Sequence, residues 1–186
     1  KKKPLIESDF TNPKSIYGQS KLKGEKAIID SGCSFLILRT SWIFSEFGNN
    51  FLKTIIKIAN KDEDLKIVDD QVGCPTYAPD IADAIIAVIK SIESDRDSFV
   101  SGVFNFASKN PVSWFQFAKF IFFVAKDYPV AQPNKIIPIK SSEYQALAPR
   151  PKYSVLSSEK IQKYFKIVIP SWENGVKNSL KNLNGN

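Results

Sequence analysis

Histidine and methionine are both missing from the 186 residues, only three residues are arginine, and only Cys33 and Cys74 carry thiols. Without histidine, and with no cysteine pair at ligand spacing, no His/Cys metal cluster can be drawn. Two cysteines make no disulfide framework, so a reducing compartment is the default. No apolar run approaches the roughly 20 residues that span a bilayer. The longest, Phe120-Ile121-Phe122-Phe123-Val124-Ala125, is closed off by Lys119 and Lys126. The basic start Lys1-Lys2-Lys3 leads into no apolar segment, which argues against a secretory leader. Also missing is any Gly-x-Gly-x-x-Gly or Gly-x-x-Gly-x-x-Gly, the turn that lays a dinucleotide pyrophosphate on a helix N-terminus. The missing methionine and the missing glycine-rich turn together predict the downstream part of something longer.

What is present reads as an ordinary soluble globular chain, 43% hydrophobic and 24% charged. Its length suits one domain with a sizeable core, or one and a half. The net charge of +7 comes from lysines scattered through every segment. Such a surface aids solubility and attracts anionic small molecules. No recognised motif accompanies the charge, so no nucleic acid is expected as a partner.

Pro13 biases Asn12 away from helix, and a helix is expected from about Lys14 to Asp30, stopped by Ser31-Gly32. Phe35–Arg39 is nearly all apolar, the pattern of a strand covered on both faces. A polar turn from Ser45 to Asn50 leads to an amphipathic helix over about 50–61, with Phe51, Ile55, Ile56 and Ala59 inward. Leu65–Val68 is the next strand and Asp69–Tyr77 reads as loop; Asp80 then caps a helix with Ile81, Ala84, Ile85, Val88 and Ile89 at helical spacing. After a polar loop over 93–101, a strand is expected at Val103–Ala107 and an apolar helix from Ser113 to about Lys126. A strand Ile136–Ile139, a loop from Ala146 to Tyr153 and helices over about 157–165 and 171–183 complete the chain, with Ser171 as the last cap. Strands alternating with helices predict an α/β protein with at least some parallel sheet.

Tyr17 and Lys21 stand four residues apart, on one face of the first helix. A fixed ammonium favours the phenolate form of a neighbouring tyrosine. Such a phenol can protonate an alkoxide as it forms, or accept a proton in reverse. With 6 tyrosines and 23 lysines in the chain, about 0.7 such pairs are expected by chance. The pair takes its weight from its neighbours.

Those neighbours are Glu7-Ser8-Asp9 before Tyr17-Gly18-Gln19-Ser20-Lys21-Leu22-Lys23-Gly24-Glu25, then Leu38-Arg39-Thr40-Ser41-Trp42-Ile43-Phe44 with Gly48-Asn49-Asn50-Phe51. Asp70-Gln71-Val72-Gly73-Cys74-Pro75-Thr76-Tyr77-Ala78 and Ala148-Pro149-Arg150-Pro151 follow. In this order they resemble the extended short-chain dehydrogenase/reductase family, and within it the branch that reduces dTDP-bound 4-keto-deoxysugars. The resemblance covers essentially the whole chain.

The resemblance implies part of a Rossmann-like parallel sheet with a smaller C-terminal α/β substrate-binding region. Residues 1–70 would be the remainder of the Rossmann-like domain carrying the catalytic helix, and 71–186 mainly the substrate-binding region, interleaved with returning Rossmann elements. Tyr17 would protonate the sugar C4 oxygen as hydride arrives from NADPH or NADH. Lys21 would hold the nicotinamide ribose, with Thr40 and Ser41 also at the cofactor. Trp42 would lie against the sugar, and Asn49, Asn50, Gln71, Thr76 and Arg150 would bind substrate, Arg150 suiting a diphosphate through its planar fork. On the residues alone, Asn49 and Asn50 equally suit helix capping, Gln71 and Thr76 a turn, Trp42 a core position, and Arg39 a structural ion pair. The resemblance also implies a dTDP-sugar partner, the missing N-terminal half of the same protein, a homodimer as one option, room for Mg²⁺, and a bacterial cytoplasmic setting that feeds cell-surface polysaccharide. The competing readings are a non-catalytic, reductase-like binding subunit, a sugar-nucleotide epimerase or dehydratase, and a split gene product. Thr-Ser-Trp at 40–42, where epimerases and dehydratases usually carry Val-Tyr-Gly-Pro, favours the reductase.

Overall fold

Side-chain oxygens start three of the helices. In the computed structural model, which describes residues 3–59, 63–95, 99–145 and 150–185, helix α1 (Ile16–Asp30) is capped by Ser15, whose hydroxyl accepts from the Gly18 N–H at 3.1 Å. Helix α2 (Phe51–Ile58) is capped by Asn50 through the Lys53 N–H at 3.2 Å. Helix α4 (Trp114–Ala125) carries a full capping box. The Ser113 hydroxyl accepts from the Gln116 N–H, and the Gln116 side chain accepts from the Ser113 N–H.

Two caps differ from expectation. Helix α3 (Ala78–Ser94) has Tyr77 at its cap position without a side-chain bond, and Asp80 lies inside the first turn. There its charge meets the positive end of the helix dipole without capping an N–H. The Ser171 hydroxyl, ahead of helix α6 (Trp172–Leu183), makes no capping bond and donates to the Glu173 carboxylate. Helix α5 spans Glu159–Phe165. Asn60, Lys61 and residues 146–149, which belong to the expected second helix and the Ala148-Pro149-Arg150-Pro151 element, lie outside the described residues.

The fold is α/β, and the described strands pair as four two-stranded sheets, three of them parallel. Strand β1 (Leu36–Arg39) pairs parallel with β6 (Gly102–Asn105), Leu36 opposite Gly102. Strand β3 (Leu65–Val68) pairs parallel with β8 (Ile136–Ile139), and β2 (Ile43–Phe44) with β5 (Thr76–Tyr77). Among the described strands, the one antiparallel ladder joins β4 (Val72–Gly73) to β7 (Val112–Ser113). The Asp69–Tyr77 stretch expected as loop thus holds two two-residue strands, too short to show a period-2 pattern in sequence. Pro138 is tolerated in β8 because β3 is its only partner among the described strands.

Helix α4 is the centre of the larger core. Phe117, Ala118, Ile121 and Ala125 are fully enclosed and pack with Phe44, Leu52, Ile55, Trp172, Val176 and Leu180. A second cluster joins Ala84 and Val88 of α3 to Phe104, Phe106, Ile161 and Ile169. Ile85 and Ile89, which share the helical spacing of these residues, are about half exposed. Strand β1 is only half-buried along its length, where coverage on both faces was expected. Helix α1 likewise buries none of its residues. It is tied to the sheet by a two-pronged ion pair, Arg39 Nε to Glu25 Oε1 at 2.9 Å and Nη2 to Oε2 at 2.6 Å. The same guanidinium reaches the Glu7 carbonyl at 3.4 Å, and the Glu7 carboxylate accepts from the Asn105 N–H at 2.8 Å.

Candidate functional site

A cleft of about 610 Å³ opens beside β3, at the end where the chain leaves β3 and β8. This is the end of a parallel sheet at which α/β proteins bind ligands. Trp42, Asn49, Asn50, Gln71 and Arg150 all line it, so four separate sequence motifs meet at one place.

Trp42 is the most constrained of them. Its backbone has φ 49°, a left-handed conformation that a bulky side chain rarely adopts. Its indole stacks on Trp114 with ring centroids 3.5 Å apart and planes 7° apart. Phe51 leans on Trp114 from 4.5 Å, and the Arg150 guanidinium stands 5.6 Å from the Trp114 ring centroid. Gly73, in the middle of the Asp-Gln-x-Gly-x-Pro-Thr stretch, is glycine for want of space. A Cβ there would lie 2.5 Å from Trp42 Cε2.

Asn50 is fully engaged, since its amide donates to the Ser45 and Phe47 carbonyls while its oxygen caps α2. Asn49 is exposed at the rim, and Gln71 is buried but reaches the cleft. Thr76 lies elsewhere. It is 0% exposed and its hydroxyl donates to the Cys74 carbonyl, so its enclosure keeps it from lining the cleft. Ser41 also donates to the Cys74 carbonyl, at 3.1 Å. Thr40, at the end of β1, has a buried hydroxyl without a partner.

Two carboxylates brace the walls. Asp69 accepts from the Ser113 hydroxyl at the start of α4. Asp70 accepts from both the Ser141 N–H at 2.7 Å and its hydroxyl at 2.9 Å, with Lys152 at 3.7 Å. Burial pushes the Asp70 carboxyl up, but the two Ser141 bonds and the Lys152 charge outweigh it and hold the group below the usual aspartate value. Asp70 thereby fixes the turn that delivers Tyr144 and Gln145 to the cleft.

Tyr17 and Lys21 are not among the cleft-lining residues; both stand exposed on α1, one turn apart. Sequence reasoning missed Trp114, Tyr144, Gln145 and Lys66 as cleft residues. Trp114 reads in the sequence as one more core aromatic of an apolar helix, and only the tertiary packing of that helix sets it against Trp42. A second, more open groove of about 630 Å³ lies between Glu7, Val103 and Lys160. Its Lys160 ammonium is already spent on the Val103 carbonyl at 2.7 Å and the Phe104 ring. Among the described residues, no group of three or more His, Cys, Asp or Glu side chains is placed to hold a metal. No helix of the described residues is long and apolar enough to cross a membrane.

Comparison with known proteins adds an independent line. The RmlD substrate binding domain matches residues 1–184. A dTDP-4-dehydrorhamnose reductase of Burkholderia thailandensis is 40% identical over 181 residues, which cover 95% of this chain and 61% of that protein. Among solved structures, a dTDP-4-dehydrorhamnose reductase ortholog from Clostridium acetobutylicum superposes with a TM-score of 0.85 at 33% identity, over 98% of this chain and 61% of the other. A dTDP-4-dehydrorhamnose reductase from Bacillus anthracis, solved in complex with NADP, gives 0.82 at 32% identity, over 96% and 59%. The α/β architecture is thus that of the Rossmann-like reductases, and the chain spans about three-fifths of the length of these relatives. With nearly every residue of the chain inside the match, it belongs to the RmlD substrate binding domain family.

Proposed function

We propose that this chain is the catalytic-helix and substrate-binding part of an NAD(P)H-dependent reductase. Its reaction would convert the C4 keto group of dTDP-4-dehydrorhamnose to the alcohol of dTDP-L-rhamnose. The observation that carries the reading is the meeting of Trp42, Asn49, Gln71 and Arg150 around one cleft at the ligand-binding end of a parallel sheet.

The residues present fit the ribose end of a nicotinamide cofactor. The exposed phenol of Tyr17 and ammonium of Lys21 stand on one helix face, and the Thr40 hydroxyl is buried at the end of β1 without a partner. When bound, the reduced nicotinamide supplies the hydride that reaches the sugar C4. In this reading Tyr17 donates its phenolic proton to the C4 oxygen and recovers one from solvent. Lys21 donates hydrogen bonds to the ribose hydroxyls and steadies the transient phenolate by charge. Trp42 and Asn49 bound the sugar, Gln71 lines the cleft floor, and the Arg150 fork binds the diphosphate. Residues 1–70 then carry the proton donor together with Trp42 and Asn49, and 71–186 contribute Gln71 and Arg150. The glycine-rich turn for the pyrophosphate comes from a preceding half of the same protein.

The test is NADPH oxidation with dTDP-4-dehydrorhamnose by the whole protein that contains this chain, beside Tyr17→Phe. Turnover by the native protein, and a loss of about 10²-fold or more in kcat for the variant, is the expected result. A folded protein that binds NADPH and does not turn the sugar over would point instead to a reductase-like binding subunit.

A further inference from the structure

We propose that Trp114 is a positioning residue which, together with Gly73, fixes the indole of Trp42 and relates it to Arg150. The consequence for substrate rests on the reductase reading above; the geometry does not.

Trp42 cannot hold its own place. Its loop imposes a left-handed backbone at φ 49°, and no side-chain preference favours that conformation. The ring is instead confined by its neighbours. The Trp114 indole covers it at 3.5 Å and 7°, closer to full face-to-face overlap than aromatic pairs adopt when free to slide. Gly73 approaches so near that a Cβ would fall 2.5 Å from Cε2 and 2.8 Å from Nε1. The φ of Gly73 is not in the left-handed region, so the glycine serves space and not backbone conformation.

Trp114 is in turn packed on several sides. It is 9% exposed, begins a helix closed by a capping box, and is packed by Phe51 and Phe117. The Arg150 guanidinium faces the same indole at 5.6 Å, within cation–π range. One side chain therefore touches both the residue assigned to the sugar and the residue assigned to the diphosphate. Fixing both before substrate arrives lowers the ordering cost of binding. It does nothing to the proton donor, so its loss belongs in KM and not in kcat.

The experiment uses the whole protein containing this chain and the variants Trp114→Ala, Trp114→Phe and Gly73→Ala. Two indoles stacked face to face couple their transitions, and circular dichroism reads that coupling as a couplet. The couplet is expected in the native protein and absent from Trp114→Ala and Gly73→Ala. KM for dTDP-4-dehydrorhamnose should rise about tenfold in these two, with kcat within about twofold and an unchanged pH profile. Trp114→Phe, which keeps a ring against Trp42, should restore KM to within about threefold. A couplet that survives Gly73→Ala, or a KM unmoved in Trp114→Ala, would overturn the proposal. Should Gly73→Ala fail to fold, the contrast between Trp114→Ala and Trp114→Phe decides. If the native protein turns over no dTDP-sugar, the reductase reading falls. The couplet in Gly73→Ala, which keeps both indoles, then judges the positioning alone: its loss supports the proposal, and its persistence refutes it.

Discussion

Among the described residues, Glu46 is the only buried carboxylate. Its oxygens accept from the Tyr77 hydroxyl at 3.0 Å and from the Asn182 amide at 2.6 Å, joining the loop that follows β2 to β5 and to helix α6. Burial pushes the Glu46 carboxyl up, but bonds from its backbone, Asn182 and Tyr77 outweigh it and hold the group below the usual glutamate value. The proton stays on the phenol. Glu46→Ala would strand the Tyr77 hydroxyl and the Asn182 amide at a cost of about 2–3 kcal/mol. For a chain of this size, that is a fall in Tm of roughly 5–10 °C, which calorimetry would register. Glu46→Gln, which keeps an acceptor for Tyr77, should lose less than half of that. The loop so held carries Asn49 and Asn50, so the measurement also reports how firmly that side of the cleft is built.

Among the elements, α4 is the one whose end is most fully specified. Ser113 is 2% exposed, accepts from the Gln116 N–H and donates to Asp69. Ser113→Ala should cost about 1–2 kcal/mol, seen as a lower urea midpoint at unchanged slope. That cap was legible in the sequence, as were α1, β3, β8 and the extent of α4, because each is dictated by local spacing. The cleft was legible only in part. Trp42, Asn49, Gln71 and Arg150 stood out through their motifs, whereas Trp114, Tyr144 and Gln145 belong to it through pairings between distant segments. Thr76 shows the same limit from the other side. It shares a motif with Gln71, yet β5 turns it into the interior while Gln71 reaches the cleft. The half-exposed state of β1 escaped the sequence too, since an apolar run does not say what will cover its faces.

For the molecule as a whole, the response to alkali follows from two buried acids. Burial pushes the Cys74 thiol up from 9.0 to about 11. Burial, and then the Glu46 carboxylate, push the Tyr77 phenol up from 10.0 to about 12. Both groups keep their protons longer folded than unfolded. Their contribution is complete below the unfolded values and is lost as pH climbs through the folded ones. The melting temperature should therefore begin to fall near pH 9 and continue to fall towards pH 12. Cys74→Ala should remove the earlier part of that decline and leave the Tyr77 part, as a series of melts across this range would show.

The ladders described above also set how the chain must fold. Leu36 waits for Gly102, Leu65 for Ile136, Ile43 for Thr76 and Val72 for Ser113. No ladder among the described strands is a hairpin, so none can zip up from a tight turn. Each must first pay the entropy of closing a long loop, and chains dominated by such non-local pairings fold in milliseconds to seconds. The helices can flicker into being early, but the cleft cannot. Its walls come from segments on both sides of these closures, and the pocket exists only once the last of them is made.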